Sequence, residues 1–135
     1  MPWWFTFGEV PEHGVETIAE WIGDGPGRRA DLQIVDVRTE MEFRGGHVRG
    51  AVNCSLLPDV LHFRARLAEL GLDPQRPTLC VCLSAHRSVS AVKVLRDFGF
   101  REPFQMKGGM NAWRAKHLPE VSQADDERAG GAAKE

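Results

Sequence analysis

The sequence predicts an α/β domain whose sheet is mainly parallel and flanked by helices. Two observations carry that prediction. Residues 32–37 and 78–82 are short, mostly apolar runs, the pattern of strands buried on both faces. Other segments repeat apolar residues at helical spacing: Val15, Ile18, Ala19 and Ile22; Val60, Phe63, Leu67 and Leu70; Val89, Val92, Leu95 and Phe98. The two kinds of segment alternate along the chain.

Taken in order, residues 3–7 are aromatic-rich and read as a first strand. A helix over 15–22 follows, broken by the Gly-Asp-Gly-Pro-Gly run at 23–27. The strand at 32–37 leads to Thr39 and Glu42, which have capping-box spacing and predict a brief helix ended by Gly45 and Gly46. Residues 51–53 read as a short strand, and the helix carrying Phe63 and Leu67 stops at Gly71. The strand at 78–82, a helix over 87–98, a small strand at 104–106 and a short helix at 110–116 complete the pattern. The domain is expected to span residues 1–118. From Pro119 large apolar residues nearly vanish, so 119–135 is expected to be a disordered tail.

Composition limits function. A chain of 135 residues, 42% hydrophobic, supports one core. A net charge of -2 argues against nucleic-acid binding. The N-terminal run is apolar but short and lacks a basic flank, so neither a signal peptide nor a membrane span is expected, and the expected location is the cytoplasm. Three cysteines, Cys54, Cys80 and Cys82, are an odd set that points to a reducing compartment. None has zinc-ligand spacing, so no metal is expected.

The chemistry concentrates at Cys82-Leu83-Ser84-Ala85-His86-Arg87-Ser88, a strand end, a tight loop and a helix start. Parallel α/β sheets place ligands at this edge. The helix N-terminus offers unpaired N–H groups and positive potential, which favour an anion and the reactive thiolate form of cysteine.

This loop resembles the rhodanese active-site loop: a cysteine, four residues, then Arg and Ser. Ile34-Val35-Asp36-Val37-Arg38 is similar to the family's Asp-Val-Arg strand. The segment from Glu42 through Gly46-His47 and Gly50-Ala51 to Asn53 is similar to a second family motif, and Lys107-Gly108-Gly109 through Ala112-Trp113 to a third. The resemblance implies a three-layer rhodanese-like fold with a five-stranded, mainly parallel sheet. It implies a thiosulfate sulfurtransferase that passes sulfur through a Cys82 persulfide, from a thiosulfate-like donor to cyanide, a thiol or a protein acceptor, with no cofactor. The backbone of Leu83, Ser84, Ala85, His86, Arg87 and Ser88 would cradle the persulfide, and Arg87 would hold the donor.

The sequence departs from the family pattern at two positions: Ala85 stands where glycine is frequent, and Leu83 where a basic residue is frequent. Asp36, Arg38, Glu42 and His47 are expected to organise loops, and Cys54 and Cys80 to be core thiols. Two rivals stand beside this reading. A phosphatase or arsenate reductase uses Cys, five residues, then Arg, whereas only four residues separate Cys82 from Arg87. A non-catalytic binding module on the same fold commonly lacks the cysteine.

Overall fold

The computed structural model describes residues 10–134, with side chains to residue 128. Five strands run β1 (Glu12–His13), β2 (Gln33–Asp36), β3 (Val52–Asn53), β4 (Thr78–Val81) and β5 (Pro103–Met106). Six helices are α1 (Val15–Ile22), α2 (Glu40–Gly45), α3 (Val60–Glu69), α4 (Arg87–Asp97), α5 (Gly109–Ala115) and α6 (Gln123–Lys134). The strands form one five-stranded sheet in the order β1-β5-β4-β2-β3. Every pairing is parallel. The expected strand at residues 3–7 lies outside the described residues.

The central strands alternate side chains between two cores, as the pleat requires. Val35, Val37, Cys80 and Cys82 join Phe63 and Leu67 of α3 and Ala91, Val92 and Leu95 of α4. Ile34, Leu79, Val81, Phe104 and Met106 join Val15 and Ile18 of α1 and Met110 and Trp113 of α5. Helix, sheet and helix are therefore the three layers. The stripe predicted for α3 is correct at Phe63 and Leu67, but Val60 is exposed at the helix start. Buried polar strand residues are paired: Gln33 donates to Asp73 O and Thr78 Oγ1, both at 2.9 Å.

The strand order places the site. The connection leaving β2 runs to β3, and the one leaving β4 runs to β5 on the opposite side. A crevice opens where such connections diverge, beyond the carboxyl ends of the two strands. Cys82 follows β4 at that point, one residue past the Asp36–Val81 register pair.

The segment after Pro119 differs from the expected disordered tail. Val121 and His47 exchange backbone hydrogen bonds of 2.8 and 2.9 Å as an antiparallel bridge. Ser122 and Asp125 then form a reciprocal cap, Asp125 N donating to Ser122 Oγ at 3.2 Å and Ser122 N to Asp125 Oδ2 at 2.9 Å, and α6 follows. His47 is fully buried against Phe43 and turns Nε2 to Asp126 Oδ2 at 2.6 Å and Nδ1 to Phe43 O at 2.6 Å. Low apolar content hid a segment held by a cap and a buried histidine rather than by hydrophobic area. No helix among the described residues is long and apolar enough to cross a membrane.

Candidate active site

Cys82 follows β4, is 1% exposed and lies in the same core as Cys80. The next four residues turn the chain into α4. Ser84 and His86 are exposed, Leu83 and Ala85 half-buried. The turn needs a left-handed residue, and Ala85 supplies it at φ 73°. A loop without glycine thus adopts the glycine conformation, at a cost of about 1–2 kcal/mol. Leu83 is half-buried and packs into the core that holds Leu79, Val81 and Met110.

His86 precedes α4 at its N-cap and makes no side-chain capping bond. Among the described residues, none accepts a hydrogen bond from the backbone N–H groups of Leu83, Ser84, Ala85 or His86. Such unsatisfied donors at a helix start are what an anion binds.

The loop is anchored from behind by α5. Met110 N donates to Cys82 O at 2.8 Å and Asn111 N to Leu83 O at 2.9 Å. This close approach is why Gly109 stands there: at φ 59° a Cβ would sit 2.4 Å from Cys82 O and 2.6 Å from Leu83 O. The third family-like motif therefore serves the first.

Ser88 lies against Cys82. Its Oγ is 3.3 Å from Cys82 Sγ and donates to Gln105 Oε1 at 2.7 Å, and Gln105 Nε2 donates to Glu12 Oε2 at 3.1 Å.

Arg87 forks onto Glu42, with Nη1 to Oε1 at 3.0 Å and Nη2 to Oε2 at 3.1 Å. Glu42 Oε1 also accepts from the Thr39 backbone and hydroxyl, both at 3.0 Å, closing the predicted capping box. The Arg87 hydrogen bonds outweigh partial burial and hold the Glu42 carboxyl down at about 2. Glu42 in turn raises the Arg87 pKa through these hydrogen bonds and its charge. The mouth thus carries an ion pair rather than a bare cation. Asp36, Arg38 and His47 behave as expected of loop organisers. Arg38 and Asp36 are both buried and joined at 2.8 Å, and Arg38 also donates to Gly46 O at 2.7 Å.

The other two thiols are core residues. Burial pushes Cys54 up to about 11 and Cys80 further still. Neither forms a disulfide. Among the described residues no group of three His, Cys, Asp or Glu side chains is placed to hold a metal.

Sheet and loop together define a parallel α/β domain that sets one cysteine against a helix N-terminus at a strand edge. A model of the rhodanese-like domain matches residues 18–116, and the chain belongs to that family. The uncharacterized protein YqhL of Bacillus subtilis is 36% identical over 84 residues, 62% of each chain, so this chain spans under two thirds of that relative. The thiosulfate sulfurtransferase GlpE of Stutzerimonas stutzeri is 28% identical over 102 residues, covering 74% of this chain and 86% of that one. Among solved structures, the polysulfide-sulfur transferase homodimer of Wolinella succinogenes superposes with a TM-score of 0.65 at 27% identity, covering 84% of this chain and 79% of that one.

Sequence reasoning missed Gln105 and Glu12 as neighbours of the site. Gln105 is a polar residue in an otherwise apolar strand, and that anomaly was the available signal.

Proposed function

We propose that this domain is a thiosulfate sulfurtransferase-type enzyme that carries sulfane sulfur on Cys82. The observation that carries the reading is the pairing of Cys82 with four loop N–H groups, from Leu83 to His86, that have no protein acceptor among the described residues. An anion on the sulfur would supply the missing acceptor, with the backbone of Arg87 and Ser88 continuing the cradle into α4.

In the first half-reaction the Cys82 thiolate attacks the outer sulfur of thiosulfate. A Cys82 S–S bond forms, the donor's S–S bond breaks, and sulfite leaves with the electron pair. In the second, cyanide or a thiolate attacks the terminal sulfur, and the electron pair returns to Cys82. This is covalent catalysis in two displacements, and it needs no external oxidant or cofactor. The Arg87–Glu42 pair borders the donor site and limits its net positive charge, which favours modest thiosulfate affinity. Acceptors fitting the mouth are cyanide, small thiols and a protein cysteine. A cytoplasmic setting and independence from nucleic acid and membranes belong to the same reading.

Steady-state transfer from thiosulfate to cyanide tests it, with thiocyanate as product. Parallel double-reciprocal lines and loss of turnover in Cys82→Ala are expected. If thiosulfate fails, mercaptopyruvate is the next donor. Turnover retained in Cys82→Ala, or absent with both donors, overturns the reading in favour of a binding module.

A further inference from the structure

Cys82 is connected to the far edge of the sheet by a directed chain of hydrogen bonds. Glu12 on β1 is exposed, whereas Gln105 on β5 and Ser88 on α4 are buried. A carboxylate only accepts, so the Gln105 amide turns its nitrogen to Glu12 and its oxygen to Ser88. The Ser88 hydroxyl has one proton, and Gln105 Oε1 takes it at 2.7 Å. Ser88 therefore presents a lone pair to Cys82 Sγ at 3.3 Å, an arrangement that a proton on sulfur would complete.

We propose that Gln105, oriented by Glu12, is a positioning residue that holds the resting Cys82 as a thiol by directing the Ser88 proton away from sulfur. This rests on the reading of Cys82 as the sulfur carrier. When the thiol loses its proton to solvent, Ser88 can support the thiolate only by swinging its hydroxyl from Gln105 to sulfur. That leaves Gln105 Oε1 a buried acceptor without a donor. The inner sulfur of a persulfide bears no proton and demands none. The chain therefore penalises the unloaded thiolate and spares the loaded form. Other charged or titratable groups around Cys82 are Arg87 with Glu42, Asp36 with Arg38, Cys80 and Cys54 in the same core, and His86 in the loop. None of these lies in the Ser88–Gln105–Glu12 chain.

The test is a titration of thiolate ultraviolet absorbance, taken as the difference between each protein and its Cys82→Ala counterpart. Gln105→Leu removes the competing acceptor. Its midpoint is expected to fall by about one pH unit, a tenfold rise in the thiolate-to-thiol ratio. Glu12→Ala, a change at an exposed position, frees the amide to rotate and should raise that ratio about threefold. Both effects should vanish in a Ser88→Ala background, whereas a through-space effect of the Glu12 charge would persist there. A purely structural role would change the unfolding midpoint and leave the titration unmoved. Titrations of Gln105→Leu and Glu12→Ala that coincide with wild type, or shifts that survive Ser88→Ala, overturn the proposal. Failure of the sulfur-carrier reading shows separately, as no mass gain with thiosulfate or mercaptopyruvate whatever the titration does.

Discussion

Replacing Gly109 with alanine perturbs the contact that fixes the loop after Cys82. Two costs apply. The left-handed backbone at φ 59° is worth about 1–2 kcal/mol against a residue with a Cβ, less about 0.4–1 kcal/mol for the stiffer unfolded chain. The second cost is steric. The new Cβ would meet Cys82 O at 2.4 Å, Leu83 O at 2.6 Å and Leu83 C at 2.7 Å, all inside the 3.0 Å floor of real contacts. Every offending atom is backbone, so no side chain can yield. Relief requires α5 to separate from the loop, stretching the Met110–Cys82 and Asn111–Leu83 hydrogen bonds, each worth about 0.5–1.5 kcal/mol. The total is about 1–4.5 kcal/mol. Gly71→Ala is the control, since Gly71 has φ 66° and open space around its Cβ position; it should cost about 1 kcal/mol. Urea unfolding of both variants measures the difference. Equal losses in the two would refute the claim that α5 grips the loop through Gly109.

Three further outcomes follow from the geometry. Glu42 has a folded pKa of about 2 against an ordinary 4.5, so its pairing stabilises fully above pH 4.5 and is lost as pH falls toward 2. With both side chains about a third exposed, the loss is about 1 kcal/mol, and Glu42→Gln should flatten that part of the acid unfolding curve. Ala85→Gly should leave stability unchanged or raise it by up to about 1 kcal/mol in urea unfolding, because the left-handed conformation at Ala85 then carries no Cβ strain. Asp126→Ala should speed limited proteolysis after residue 119 and cost about 1 kcal/mol or more in thermal unfolding, because it strips the buried His47 Nε2 of its acceptor.

How much of this was legible in the sequence depended on what held each element. The central strands and α1, α3 and α4 showed themselves through apolar periodicity, because the energetics there are hydrophobic burial. The capping box at Thr39 and Glu42 was readable because it is local. The short edge strand β1, with two exposed residues, has no pattern of its own and exists through its pairing with β5. The segment after Pro119 was misread for a related reason: its anchors are Val121 and Asp126 meeting His47, over seventy residues away in sequence. Its local signal, Ser122 followed three residues on by Asp125, was nonetheless present. At the site, Cys82 and its loop stood out by spacing. The Arg87–Glu42 fork and the Ser88–Gln105–Glu12 chain did not, since each joins residues from separate elements that only the fold brings together. Ala85 shows the limit of residue rules: a position chosen by glycine conformation is occupied by alanine, and the surrounding contacts hold it there.

The measurement that tests the central claim most directly is the intact mass of the reduced protein after incubation with thiosulfate, beside Cys82→Ala treated alike. The account predicts a gain of one sulfur atom in the wild type, reversed by cyanide and absent from the variant. A gain that persists in Cys82→Ala, or none with thiosulfate or mercaptopyruvate, would contradict it.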